Sequence, residues 1–307
     1  MDEGFVDLPA VRLFWRSVGK GEPLLVLHGG PALSHDYLLP GLAPLQDRCR
    51  VVFFDQRGCG RSAKPSDSRY DLGTLASDVE GVRTSLGLGK VNVLGFSFGG
   101  ALAQEYALRF PGSLRRLIVA GTGPSTADLN RRLREVRASA SPEVRAVLDR
   151  YERRGAFTGD RYPQEYAKAA EEAYRPFSFH SLRAPPPEIA EALGHLSFDV
   201  YKILWGDRGE FEVTGILRDF DRLDDLRMVS VPALILVGRY DMTSVDTAEE
   251  MSRRMPRAKV VVFEESGHFM FVEEPEKFLS VIRSFLMTRE QAASGSVTGV
   301  RRRRGRR

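Results

Sequence analysis

Several features that would define a class of protein are scarce in this sequence. Only two cysteines, Cys49 and Cys59, occur in 307 residues, so no disulfide framework is expected. No run of about 18 apolar residues is present, which argues against a membrane-spanning helix. The first four residues are acidic and lack the apolar stretch of a secretory leader. Together these absences predict a cytoplasmic protein without a membrane partner.

Positive charge is also scarcer than the total suggests. The formal net charge is +4, yet residues 301–307 carry six arginines, which leaves the rest of the chain at −2. The basic character therefore belongs to a tail at 290–307, which its composition predicts to be disordered. Such a tail can attract phosphates non-specifically, but a solvated end without function is the simpler interpretation. No specific nucleic-acid partner is expected.

Two periodicities alternate along both ends of the chain. Short apolar runs suit buried parallel strands, and segments with apolar residues at helical spacing separate them. This alternation is typical of a mostly parallel sheet flanked by helices, with an antiparallel edge strand at 11–15. The other expected strands are 23–27, 51–54, 91–94, 117–120, 233–237 and 260–263, and the expected helices between them are 74–87, 101–109, 243–255 and 276–287.

The sequence pattern changes between residues 123 and 228. Strand-like runs disappear there and charged helical segments replace them, interrupted by a proline-rich break at 184–187. Long insertions into surface loops cost little free energy. We therefore expect a core formed by 1–122 and 229–289, with 123–228 inserted as a helical cap.

A Gly-x-Ser-x-Gly pattern stands between an apolar run and a helical segment. Residues 95–100 read Gly-Phe-Ser-Phe-Gly-Gly, directly after the run at 91–94. In a strand–turn–helix context this pattern forms a tight turn that holds the serine hydroxyl above the sheet. Ser97 is therefore the candidate nucleophile, although the same letters also occur in turns that only reverse the chain.

A serine nucleophile needs a base and a carboxylate that orients the base. Asp241 follows the expected strand at 233–237, and His268 follows the one at 260–263. Active sites of open α/β sheets lie at the carboxyl ends of the strands, so both side chains could meet Ser97 there. Asp241 has an alternative role as a cap of the helix expected at 243–255.

Acyl transfer also needs backbone donors that stabilise the oxyanion. Phe98 directly follows the nucleophile, so its N–H is one candidate donor. A glycine-rich loop follows the strand at 23–27, and there Gly30 is the second candidate. His28 in this loop lacks neighbours at metal-ligand spacing, so we interpret it as bracing the loop. No metal or cofactor is expected.

Several motifs together resemble the proline iminopeptidase family of α/β-hydrolases. The resemblance covers about 5–122 and 228–288 and implies the α/β-hydrolase fold with a helical cap. The motifs are 28–31 (His-Gly-Gly-Pro), 34–38 (Ser-His-Asp-Tyr-Leu), 55–62 (Asp-Gln-Arg-Gly-Cys-Gly-Arg-Ser), 95–100 and 266–268 (Ser-Gly-His).

The resemblance also extends to the end of the cap. Members of this family, including the tricorn-interacting aminopeptidases, have a glutamate there that binds the free amine of the substrate. The resemblance implies that this glutamate corresponds to Glu210. Gly29 and Met242 complete the expected substrate-binding set. Met242 stands where tricorn-interacting members have a second glutamate, and the nearby Arg239 is expected to place a positive charge near the pocket. The alternative for Glu210 is an ordinary helix-capping or solvated glutamate.

Three functional hypotheses follow. The first is a serine aminopeptidase of the proline iminopeptidase type, which releases N-terminal residues, with proline as the leading candidate, from short peptides through an acyl-enzyme. The second keeps the triad but replaces the substrate with a small amino-acid amide or ester. The third is a non-catalytic receptor that uses the pocket only to bind a ligand. The sequence does not determine an oligomeric state.

Overall fold

The computed structural model describes residues 1–153, 159 and 161–288. The predicted tail at 290–307 lies outside the described residues. Within the described residues there are eight strands, β1 (Asp2–Leu8), β2 (Val11–Val18), β3 (Pro23–Leu27), β4 (Arg50–Phe54), β5 (Val91–Phe96), β6 (Leu114–Ala120), β7 (Ala233–Gly238) and β8 (Ala258–Phe263). They form one sheet in the order β1-β2-β4-β3-β5-β6-β7-β8.

The sheet is parallel except at one side. β2 pairs antiparallel with both β1 and β4, and the remaining neighbours pair parallel. The expected mostly parallel sheet is therefore confirmed, but the expectation that 11–15 forms its edge is wrong. The edge is β1, whose Asp2, Glu3 and Asp7 hide the apolar pattern. Charged, exposed residues of this kind are common on edge strands, where they discourage pairing with other chains.

Helices cover both faces of the sheet. The helices are α1 (Leu39–Leu42), α2 (Leu72–Ser85), α3 (Phe98–Arg109), α4 (Thr126–Ser139), α5 (Pro142–Glu152), α6 (Gln164–Ser178), α7 (Pro187–Gly194), α8 (Phe198–Leu204), α9 (Val245–Arg254), α10 (Met270–Glu273) and α11 (Pro275–Met287). Of these, α2, α3 and α9 pack on one face of the sheet and α1 and α11 on the other.

The core consists of two apolar layers, one on each face of the sheet. In β3, Leu25 and Leu27 join the first layer, whereas Leu24 and Val26 join the second. This follows from the period of two in a strand, which points successive side chains to opposite faces. A strand buried on both faces therefore consists of an unbroken apolar run, which is why these strands could be recognised in the sequence.

Five helices, α4–α8, lie between β6 and β7, and in the described part of this segment no named strand interrupts them. The division of the chain into a core and an inserted cap at 123–228 remains a prediction. In the described residues, no helix combines the length and apolarity needed to cross a bilayer.

The turn between β5 and α3 is the most crowded point of the backbone. A Cβ at Gly95 would clash with the carbonyl of Gly99, and a Cβ at Gly99 would clash with the carbonyl of Leu27. These contacts involve main-chain atoms, which cannot rotate away as the end of a side chain can. Glycine at 95 and 99 thus permits α3 to begin directly against the end of β3.

Replacing Gly99 with alanine tests this crowding. We expect Gly99→Ala to lower the free energy of unfolding by about 1–3 kcal/mol, because the added Cβ meets the backbone of Leu27. Gly112→Ala is the matched control, since nothing lies within 4 Å of its added Cβ. Urea unfolding measures both variants, and equal stabilities would contradict the close packing.

Candidate active site

Ser97 occupies a strained turn at the carboxyl end of β5. Its backbone has φ +55° and ψ −126°, in the left-handed half of conformational space that non-glycine residues avoid. The strain is supported by hydrogen bonds on both sides, from Ser97 N–H to the Ala120 carbonyl (2.9 Å) and from Gly100 N–H to the Ser97 carbonyl (2.7 Å). The turn directs the half-buried Ser97 side chain into a cavity above the sheet.

Asp241 and His268 form a buried pair at the ends of the last two strands. His268 Nδ1 lies 2.9 Å from Asp241 Oδ1, which also accepts a hydrogen bond from Thr243 N–H (3.0 Å). Asp241 is not the cap of α9, because the hydroxyl of Ser244 accepts the N–H of Thr247 there. The alternative role of Asp241 is therefore wrong.

His268 and Ser97 line the same cavity, whereas Asp241 is not among its lining residues and is almost fully buried. The Asp241 carboxylate is enclosed and the His268 imidazole lies at the cavity wall. This arrangement suits a carboxylate that orients the base without contacting the substrate. Gly121 leaves room for the imidazole, since a Cβ there would stand 2.9 Å from His268 Cε1.

The glycine-rich loop after β3 lies against the Ser97 turn. A Cβ on Gly29 would stand 2.8 Å from Ser97 Cβ, so only glycine permits this approach. Gly29 N–H donates to the Tyr37 hydroxyl (2.8 Å) and is therefore occupied. Gly30, with φ +125°, follows and lines the cavity together with Phe98. As the first residue of α3, Phe98 has an N–H without a partner inside the helix.

His28 braces the start of this loop. Its Nε2 accepts the N–H of Gln56 (3.0 Å), and the Gln56 side-chain amide donates to the His28 carbonyl (2.8 Å). Burial lowers the pKa of His28 to about 4, so the ring is neutral and can accept this hydrogen bond. In the described residues, no group of three or more His, Cys, Asp or Glu side chains could hold a metal ion.

Glu210 lines the same cavity and is surrounded by tyrosines. The Tyr201 hydroxyl lies 2.9 Å from each carboxylate oxygen, and the hydroxyls of Tyr166 and Tyr174 bind the main-chain N–H (2.8 Å) and carbonyl (2.7 Å) of Glu210. Burial raises the pKa of Glu210 from its usual 4.5 to about 7, and hydrogen bonds to the carboxylate oppose that rise. Glu210 is therefore neither a helix cap nor a freely solvated side chain.

Sequence reasoning missed these tyrosines. Tyr166 and Tyr174 lie on α6 and Tyr201 lies on α8, and they precede Glu210 by 44, 36 and 9 residues. They come close to Glu210 only after folding brings the two helices together. Tyr201 precedes Glu210 by nine residues and is the nearest signal in the chain. No periodicity links it to Glu210, because the segment between them includes the loop after α8.

Met242 and Arg239 have different surroundings. Met242 lines the cavity, as expected, and its carbonyl accepts a hydrogen bond from Arg132 Nε (3.2 Å). Arg239 is not among the lining residues and instead forms an exposed ion pair with Glu264 (2.7 Å). The expectation that Arg239 places a positive charge near the pocket is therefore wrong, because Arg239 pairs with the Glu264 carboxylate outside the cavity.

The cavity has a volume of about 580 Å³ and a largely apolar wall. It is enclosed by the carboxyl ends of the strands and by residues of α4, α6, α7 and α8. A space of this size holds a dipeptide or a similar small molecule. The apolar wall includes Leu129, Phe179, Ile189, Leu196, Leu217 and Met242.

Comparisons with known proteins agree with this architecture. The alpha/beta hydrolase fold model matches residues 22–275. A proline iminopeptidase of Heyndrickxia coagulans is 33% identical over 292 residues, which cover 92% of this chain and 98% of that protein. The structure of VinJ is similar with a TM-score of 0.85 at 28% identity, covering 93% of this chain and 98% of that one. The structure of proline iminopeptidase from Mycobacterium smegmatis is similar with a TM-score of 0.81 at 29% identity, covering 93% of this chain and 97% of that one.

The raised pKa of Glu210 can be tested through stability. A carboxyl group whose pKa is raised by folding stabilises the fold below its unfolded pKa, and that contribution is lost as the pH rises through its folded pKa of about 7. Relative to wild type, Glu210→Gln should therefore gain up to about 3 kcal/mol between about pH 4 and about pH 8. Urea unfolding across this range measures the difference, and a constant difference would contradict the raised pKa.

Proposed function

Because this chain belongs to the proline iminopeptidase family of α/β-hydrolases, we propose that it is a serine hydrolase that releases the N-terminal residue of short peptides, with proline as the leading candidate. The observation that carries this proposal is the presence of Glu210, Ser97 and His268 on the wall of one cavity. A carboxylate that can bind an amine thus faces the same space as a nucleophile and its base.

The proposed reaction begins with attack of Ser97 Oγ on the scissile carbonyl carbon. His268 takes the hydroxyl proton through Nε2, while Asp241 holds Nδ1 and favours the imidazolium. The N–H groups of Gly30 and Phe98 stabilise the oxyanion. Collapse of the tetrahedral intermediate breaks the C–N bond, and His268 gives its proton to the leaving amine.

Water then completes the cycle. It attacks the acyl-enzyme, with His268 again as general base, and the released acid regenerates Ser97. None of these steps requires a metal or cofactor. The expected cytoplasmic location and a small-peptide substrate belong to this proposal.

Glu210 supplies selectivity for a free N-terminus. A protonated α-amine forms a charge-assisted hydrogen bond with the carboxylate, which the apolar wall strengthens by excluding water. An N-acylated peptide has no cation to offer, so its binding would leave a buried carboxylate unpaired. The tyrosine hydroxyls keep Glu210 fixed, so little ordering is required when the amine binds.

The second candidate is hydrolysis of small amino-acid amides or esters. Met242 favours it, because this side chain makes the wall beside the catalytic acid apolar. A panel in which esters exceed every arylamide by orders of magnitude in kcat/KM would support this candidate. The non-catalytic receptor would be supported if a serine-reactive phosphonate failed to label Ser97.

Selectivity for the free amine is the direct test. We expect prolyl or alanyl arylamides to be cleaved with a kcat/KM about 10²-fold above that of their N-acetylated forms, and Glu210→Gln to remove most of this difference. Steady-state kinetics of the free and blocked pairs measure it. Ser97→Ala is the control for the chemistry and should lower kcat by about 10⁴-fold or more. Equal turnover of free and blocked substrates by wild type would overturn amine recognition.

A further inference from the structure

The last turn of α6 and the segment after α6 (residues 179–182) lie directly on the loop that carries the catalytic histidine. His268 N–H donates to the Phe177 carbonyl (2.8 Å), and Phe269 N–H donates to the Ser178 carbonyl (3.2 Å). A Cβ on Gly267 would stand 2.6 Å from the Phe177 oxygen, so glycine is needed for the two backbones to approach. The position of His268 is therefore tied to the end of α6.

The Glu273 carboxylate bridges the same two segments. Its Oε1 accepts hydrogen bonds from Ser181 N–H (2.6 Å) and from the Ser181 hydroxyl (2.8 Å), while Oε2 accepts one from Gly267 N–H (2.7 Å). Three short hydrogen bonds to one ionised carboxylate are stronger than neutral ones. Within the described part of the chain no ion pair of Glu273 is found, so these neutral donors are its direct partners.

A ring contact joins this segment to the loop of the catalytic acid as well. The imidazole of His180 stacks on the ring of Tyr240, with centroids 3.5 Å apart and planes inclined by 3°. Tyr240 directly precedes Asp241. The short segment after α6 thus contacts the loops of both residues that activate the nucleophile.

The same helix also holds Glu210, the proposed binding residue of the amine. Tyr166 near the start of α6 and Tyr174 one turn from its end bind the main chain of Glu210 through their hydroxyls. One helix therefore contacts both Glu210 and the loop of His268. Any shift of α6 relative to the sheet changes the distance from the substrate amine to the catalytic base.

We propose that Glu273 is a positioning residue that fixes α6 to the histidine loop and so sets the distance between amine recognition and catalysis. This inference rests on the proposed function, because it assigns Glu273 a role in reactions of substrates held by Glu210. Glu273 lies outside the cavity wall and acts through Ser181 and Gly267. A misplacement of about 1 Å in such a constellation can cost about 10²-fold in rate.

The neighbouring carboxylate provides a matched control. Glu274 Oε2 accepts hydrogen bonds from Glu265 N–H (3.1 Å) and from the Ser266 hydroxyl (2.6 Å). Glu274 thus supports the same histidine loop, but in the described residues it has no hydrogen bond to the segment after α6. A comparison of the two glutamates separates support of the loop from attachment of α6.

The experiment compares Glu273→Gln, Ser181→Ala and Glu274→Gln with wild type. Prolyl arylamide reports on a substrate held by Glu210, and p-nitrophenyl acetate, which has no amine, reports on the triad alone. We expect Glu273→Gln to lower the ratio of the two kcat/KM values by at least about tenfold, mainly through kcat, and Ser181→Ala to lower it less. Glu274→Gln should leave the ratio at the wild-type value.

Equal ratios for Glu273→Gln and Glu274→Gln would overturn the inference, even if both variants melt at lower temperature. Ser181→Ala removes only one hydroxyl on the surface, so it keeps the test valid if Glu273→Gln does not fold, and an unchanged ratio in Ser181→Ala then overturns the inference. If Glu210→Gln leaves the ratio of kcat/KM for prolyl arylamide to that for p-nitrophenyl acetate at the wild-type value, the proposed function fails and the role of Glu273 fails with it.

Discussion

The left-handed turn at Ser97 is the constraint on which the other parts of the site depend. It is held where three backbones meet, namely the end of β5, the first turn of α3 and the end of β3. Because Gly99 abuts the Leu27 carbonyl, the loop after β3 must begin beside the serine, which brings Gly30 to the cavity. The parallel order of β5 to β8 then places the loops of Asp241 and His268 at the same edge of the sheet.

Much of this architecture could be predicted from the sequence because local sequence patterns determine it. Doubly buried strands are apolar runs, and the residues after β7 and β8 lie at the carboxyl edge wherever a parallel sheet forms. Long-range features could not be predicted in the same way. The charged residues of the edge strand β1 interrupt the apolar pattern by which a strand is recognised. The ion-pair partner of Arg239 lies 25 residues away in the sequence. The tyrosines around Glu210 come from two different helices.

The site places a carboxylate in surroundings that oppose its charge. Burial raises the pKa of Glu210, the hydrogen bond from Tyr201 lowers it, and the first effect prevails. Such a group is partly protonated near neutrality and becomes fully ionised when a cation binds. Met242 adds no charge to the same wall. In the proposed function Glu210 binds the amine, so the proposed selectivity depends on Glu210 and on the helix that holds it.

The pH dependence of amine selectivity tests the central claim most directly. The measurement is the ratio of kcat/KM for prolyl arylamide to that for its N-acetyl form between about pH 5 and about pH 9, in which pH effects common to both substrates cancel. With a Glu210 pKa of about 7, the ratio should rise toward neutrality and fall again as the substrate amine loses its proton at about pH 8. A ratio that stays constant across this range would contradict recognition of the amine by Glu210.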